Sequence, residues 1–234
     1  MKKRFTTKRL MSFVFITFIA SIAYITVRIV KAPAVAPASD IIVRVKSDYV
    51  LMLLQCILGA VAMLIPGLLW RTFRLSVPAV MITMYAIFLY CAIYLGEVRN
   101  FYYRIPHWDT VLHTFSGVAL GALGFSLVSL LNKSERIPVS LSPVFVALFA
   151  FCFAVSLGVI WEIYEFSIDY FWSTNMQKYA LESGEMLAGQ RALTDTMKDL
   201  IVDIAGAAVM AVIGFISLKH KKGWLERFQL RIAK

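Results

Sequence analysis

The sequence predicts an all-α, polytopic membrane bundle of about six transmembrane helices, on three observations. Hydrophobic residues make up 60% of the chain and charged residues 16%. The mean hydropathy is +0.74. Six stretches each supply the roughly 20 apolar residues that a helix needs to cross a hydrocarbon core. This composition lies outside the soluble globular range, and no segment remains that is large enough to build a water-soluble domain.

The first stretch, about 10–30, follows Lys2, Lys3, Arg4, Lys8 and Arg9. It reads as an uncleaved helix, because its apolar run is longer than a signal h-region and Pro33 and Pro37 crowd the Ala-x-Ala step around Ala34 and Ala36. The alternating Pro and Ala of 32–38 make a stiff linker, and 41–45 has the composition of a short interfacial element. The second span, about 49–70, carries Pro66-Gly67 near its inner end, which predicts a kink or an early stop. The third, about 77–97, runs into Asn100-Phe-Tyr-Tyr-Arg104 and Trp108, an aromatic belt at the interface.

Gly117-x-x-x-Gly121 and Gly124 line one face of the fourth span, about 110–131, and permit close helix approach. The fifth span covers about 141–164. The sixth, about 196–218, carries Gly206-Ala-Ala208 and Gly214, which makes the fourth and sixth plausible neighbours. Between the fifth and sixth lies the longest connection on that side, 173–194, a solvated loop or a partly helical lid. Cys56, Cys91 and Cys152 fall within three different spans, as small apolar residues do, and their odd number argues against a disulfide framework. The chain therefore divides into a basic N-terminus (1–9), a transmembrane domain (10–218) and a basic tail (219–234).

Lys and Arg orient the bundle, since cytoplasmic loops carry their excess. With the N-terminus inside, fifteen of the 24 fall on the cytoplasmic side and nine on the other. Both termini are then cytoplasmic. Only Glu135 and Glu226 of the fourteen carboxylates are cytoplasmic, and because acidic residues hardly steer insertion, this asymmetry needs another cause. The net charge of +10 is mostly an inner-face property suited to anionic membrane lipids. No domain supports a nucleic-acid partner, and no Gly-rich phosphate loop, nucleotide motif or transporter-type repeat is present.

Three acidic runs with helical spacing stand out: Asp109-x-x-x-His113, Glu162-x-x-Glu165-x-x-x-Asp169, and Asp195-x-x-x-Asp199-x-x-x-Asp203. They lie at one membrane level on three helices, and ionisable groups there mark functional sites. Asp109, His113, Glu162, Glu165, Asp195, Asp199 and Asp203 are hard oxygen ligands with one imidazole, the donor set of a divalent metal in a helical bundle. Closely spaced carboxylates also serve as an acid and base pair. His113, Glu162, Glu165 and Asp203 are the candidate catalytic groups. A dry cluster of this kind repels itself and needs something positive: a metal, Lys198, Arg191 or bound protons.

Blander readings stand beside this one. Asp109 and Asp195 fit helix N-caps, Asp199 fits a solvated partner of Lys198 or Arg191, and His113 with Asp203 fits a structural buried pair. Glu162 and Glu165 are harder to set aside, since carboxylates near a helix C-terminus oppose its dipole. His107 reads as interfacial, and His220 lies in the basic tail.

The runs Trp108–Gly117, Gly158–Phe166 and Asp195–Gly206 resemble the YjdF-type family of bacterial inner-membrane proteins, and more distantly the VanZ-like family, which shares an Asp-x-x-x-His segment and a closing Asp-rich helix. The resemblance covers roughly residues 80–218. It implies a multi-pass protein of the bacterial cytoplasmic membrane and the same seven site positions, and it brings no reaction with it. The association of VanZ-like proteins with glycopeptide-antibiotic tolerance implies cell-envelope chemistry. Three functions follow as expectations: a metal-dependent enzyme acting on a lipid or lipid-linked envelope precursor, an envelope scaffold in which the cluster fixes helix packing, and a small proton- or cation-coupled transporter. The near absence of charge in the inner halves of the last three spans counts against the transporter.

Overall fold

The structure, a computed structural model, describes residues 2–34, 43–132 and 141–232. The linker beyond Ala34, the Ile41-Ile42 start of the expected interfacial element, and the loop with Lys133, Glu135 and Arg136 lie outside the described residues. Six helical stretches are long and apolar enough to cross a membrane: Thr6–Lys31, Lys46–Phe73, Ala79–Val98, Trp108–Asn132, Pro143–Trp172 and Gln190–Lys219. The chain is an integral membrane protein of the all-α class.

Helix α1 (Lys2–Lys31) begins within the basic N-terminus rather than after it. Helix α2 (Lys46–Ala62) starts where Asp48, three residues beyond Val45, accepts the Val45 backbone N–H at 2.8 Å. It stops before Ile65, and α3 (Ile65–Phe73) resumes with Pro66 in its first turn. The break predicted at Pro66-Gly67 is thus present, because proline is tolerated only where its missing N–H has no helical partner. After a two-residue strand β1 (Leu75–Ser76), α4 (Ala79–Leu89) continues as a π-helix over Tyr90–Val98, a feature that apolar periodicity cannot reveal. The one-turn helix α5 (Phe101–Arg104) holds the aromatic belt.

The second half is a three-helix unit of α6 (Trp108–Asn132), α7 (Pro143–Trp172) and α8 (Gln190–Lys219). Ser142 caps α7, its hydroxyl accepting the Phe145 N–H at 3.3 Å, with Pro143 at the start of the helix. The predicted pairing of α6 and α8 is realised at their glycines. A Cβ on Gly117 would collide with the backbone carbonyl of Asp203, and one on Gly206 with that of Thr114. Only hydrogen at both positions lets the two backbones meet.

Two helix ends differ from expectation, and both bear on the site. α7 runs eight residues past its expected end, to Trp172, so Glu162 and Glu165 lie within the helix and do not face its C-terminal dipole. α8 begins at Gln190, with Gly189 at its N-cap, so Asp195 is not a cap.

Two apolar cores hold the halves. Val14, Phe18, Met52, Cys56 and Ile93 tie α1 and α2 to the π-helix that extends α4. Ala122, Phe125, Ala150 and Met210 tie α6 to α7 and α8. Leu51, Ile168 and Met176 join α2 to α7 and to the following loop. At the opposite face β1 pairs antiparallel with β2 (Arg231–Ile232), which brings the basic tail back under the bundle.

Candidate metal centre

The side chains converge because each helix delivers its acidic residues to the same level on its inward face. Asp109 lies in the first turn of α6, and His113 one turn deeper. Glu162 and Glu165 sit on the buried face of α7, and Asp199 and Asp203 on that of α8. His113, Glu162, Glu165, Asp199 and Asp203 are 2–8% exposed, a burial that carboxylates rarely show without partners.

His113 is the hub. Its Nδ1 lies 3.2 Å from Oδ2 of Asp203, a hydrogen bond with the imidazole as donor when that nitrogen carries the proton. Oδ1 of Asp203 accepts the Ser116 hydroxyl at 2.7 Å. This leaves Nε2 facing the other way, 3.6 Å from Asp109 Oδ1 and 3.9 Å from Asp199 Oδ2. A carboxylate on one ring nitrogen, with the other nitrogen presented to oxygen ligands, is the usual environment of a metal-bound imidazole.

Two sets of donor atoms lie within 4.8 Å of one another: Asp109, His113 and Asp199, and His113, Glu162 and Glu165. Five of the seven expected positions therefore meet around His113. Asp203 lies outside both sets and touches the far nitrogen. Asp195, half-buried one turn further out on α8, also lies outside both sets.

Hydrogen bonding separates these groups further. Glu165 Oε1 accepts the indole N–H of Trp161, one turn earlier on α7, at 2.8 Å. Among the described residues, neither oxygen of Glu162 has a hydrogen-bond partner of good geometry, although Thr196 stands near it, nor does Oδ1 of Asp199. Buried carboxylate oxygens without partners are costly, and a cation or a bound proton among them is the physical remedy. The residues present thus fit a divalent ion.

Lys198 and Arg191, the cations named from the sequence, are both exposed. The ammonium near the cluster is Lys178, from the loop after α7. Its Nζ donates to the carbonyls of Asn175 and Met176 at 3.4 and 3.2 Å and lies 4.9 Å from the centre of the Tyr102 ring. Burial alone lowers the basicity of this amine. Glu97, then Tyr103, Asp109 and Glu165 outweigh it and hold the ammonium charged above its ordinary range.

Asp169, the third acidic residue of α7, shapes that loop rather than the centre. Its carboxylate accepts the Thr174 hydroxyl at 2.6 Å and the backbone N–H groups of Met176 and Gln177 at 2.7 and 2.9 Å. The connection is therefore folded back over the bundle and pinned, not merely solvated.

The sequence reading missed Lys178, Glu97, Ser116, Trp161 and Gly158. Gly158 makes room for the hub, since a Cβ there would stand 2.8 Å from Oδ2 of Asp203. Trp161 and Glu165, four apart on one helix, offered a local signal. Lys178 offered none, because only the fold of the loop brings it in. His107 is exposed, and His220 follows the last turn of α8 at the opposite end of the helix.

The family described as "Predicted membrane protein (DUF2238)" matches residues 33–220, which contain every residue of the cluster. An uncharacterized protein of Thermotoga maritima is 28% identical over 134 residues, 57% of this chain and 60% of that protein. No solved structure matches.

Proposed function

Since the chain belongs to the DUF2238 family of predicted membrane proteins, we propose that it is an integral membrane metalloenzyme whose substrate is a lipid or lipid-linked cell-envelope precursor. The observation that carries the metal is the set of unpartnered oxygens on Glu162 and Asp199 beside the free face of His113. Two donor sets that share the imidazole would hold the ion: Asp109, His113 and Asp199, and His113, Glu162 and Glu165. Such an ion supplies Lewis-acid polarisation of a phosphoryl or carbonyl oxygen and lowers the pKa of a bound water.

The remaining roles fall to the chain itself. Asp203 and Ser116 fix the imidazole orientation, and Trp161 fixes Glu165. The likeness of the motif runs to VanZ-like proteins supports an envelope substrate, and their likeness to YjdF-type proteins supports the bacterial cytoplasmic membrane. The Lys and Arg distribution supports both termini inside and the cluster at the outer leaflet.

A purely structural role accounts for the contacts among His113, Asp203 and Ser116, but gives Glu162 nothing to do. Metal analysis of the full-length protein in nanodiscs, followed by Mn²⁺ titration, tests the proposal. Stoichiometric binding is expected in wild type. In Glu162→Gln and Asp199→Asn it should weaken beyond the roughly 10–100-fold that loss of an outer-shell partner costs. Equal Mn²⁺ binding by wild type and both variants would sink it.

A further inference from the structure

The two helical halves enclose a cavity of 490 Å³, within the size range of small-molecule sites, about 300–1,000 Å³. Its two ends differ in chemistry. Glu97, Asp109, His113, Glu165 and Lys178 line the outer end, whereas Met81, Met84, Phe115, Leu120, Leu123 and Leu157 line the rest. Along α6 its walls extend from Asp109 to Leu123, fourteen residues and so about 21 Å. That is some two thirds of a hydrocarbon core of roughly 30 Å. A water-soluble substrate has no use for such a chamber, and an unfilled apolar void of this size forgoes packing contacts on every side.

The polar end shows what sort of headgroup fits. An ammonium has three donors, and Lys178 uses two on backbone carbonyls. Among the described residues no carboxylate oxygen comes within 4.0 Å of its Nζ. This charged donor, which lines the same cavity as His113, thus has one N–H outside any direct ion pair, with Glu97, Asp109 and Glu165 acting on it from beyond 4.0 Å.

We infer that the cavity binds a phosphate-bearing amphiphile with one hydrocarbon or isoprenoid chain. The chain lies between α4 and α6, and the phosphate lies between Lys178 and the His113 cluster. The inference deepens the proposed enzyme by naming its substrate class, and it rests on that reading for the phosphate being the reacting end. The occupancy of the apolar part of the cavity by the hydrocarbon chain does not depend on the metal.

The test uses the full-length protein in nanodiscs with hexadecyl phosphate carrying a diazirine near mid-chain, and hexadecanol with the same label as comparator. After irradiation, adducts are mapped by peptide mass spectrometry. Adducts on Met84, Leu120 or Leu157, favouring the phosphate over the alcohol by about tenfold, as loss of a charged hydrogen-bond partner predicts, are the expected result. Lys178→Met should abolish that preference. Ala119→Trp, which fills the chamber, should abolish the adducts while leaving Mn²⁺ binding intact.

Adducts confined to the exposed Leu148 and Phe166 would overturn the inference, and so would equal labelling by the alcohol or unchanged labelling in Ala119→Trp. If Ala119→Trp fails to assemble, the wild-type adduct map and the Lys178→Met comparison decide. The two proposals fail separately. Chamber labelling without Mn²⁺ binding removes the metal and keeps the lipid site, and Mn²⁺ binding without chamber labelling does the reverse.

Discussion

Asp203→Asn is the substitution that best distinguishes an orienting carboxylate from a metal ligand. The change preserves shape in a site that is 4% exposed. The amide oxygen can replace Oδ2 opposite His113 Nδ1, now 3.2 Å away, and the amide nitrogen can replace Oδ1 opposite Ser116, now 2.7 Å away. Ser116 then accepts from the amide and gives its own proton to the His113 carbonyl, 2.8 Å distant. Every hydrogen bond survives, so the helices stay together.

What changes is strength. A charge-assisted bond is about twice as strong as a neutral one, and weakening the carboxylate behind a ligating imidazole costs roughly 10–100-fold in metal affinity. This corresponds to about 1.4–2.8 kcal/mol. Mn²⁺ titration followed by electron paramagnetic resonance reads the loss directly, and thermal unfolding in the same nanodiscs reports whether the bundle is intact. An intact variant with wild-type affinity would refute the orienting role. Complete loss, equal to that of Asp199→Asn, would make Asp203 a ligand.

Three further outcomes are expected. Gly158→Ala places a methyl group 2.8 Å from Asp203 Oδ2. It should lower Mn²⁺ affinity by about tenfold through the same displaced partner, whereas Gly67→Ala, with nothing within 4 Å, should leave it unchanged. Asp169→Asn sets an amide against a loop N–H that now meets a carboxylate oxygen. The cost of about 1–3 kcal/mol should speed protease cleavage within 173–189 roughly tenfold or more, without removing Mn²⁺ binding. For sidedness, a membrane-impermeant maleimide should label Glu182→Cys in intact cells and Lys222→Cys only after permeabilisation, and the reverse pattern would invert the proposed topology.

The membrane class and the six crossings followed from apolar length, because the bilayer imposes one requirement on every span. The pairing of α6 with α8 followed from Gly117 and Gly206, where packing leaves a local trace in residue size. The convergence of Asp109, His113, Glu162, Glu165 and Asp199 followed from helical spacing and common depth.

Depth did not separate their roles. Asp203 and Asp199 look alike at i and i+4, and only the rotation of α8 against His113 places one behind the ring and the other in front. The ends of α7 and α8 leave no trace in hydropathy, because both helices continue past their apolar stretches beside the loop that Asp169 holds. Lys178 could not be assigned, since its approach depends on that loop and on Tyr102, both remote from any helical pattern. The π-helix of Tyr90–Val98, which turns Glu97 onto the cavity wall, likewise reflects tertiary packing; the indole of Trp108 donates to the Cys91 carbonyl within it at 3.3 Å.

The most direct measurement is pulsed electron paramagnetic resonance of Mn²⁺ bound to the full-length protein, which detects directly coordinated nitrogen. A single imidazole coupling is expected, lost in His113→Gln and retained when His107 and His220 are replaced. Bound Mn²⁺ without nitrogen coupling, or a coupling that survives His113→Gln, would contradict a metal centre built on His113.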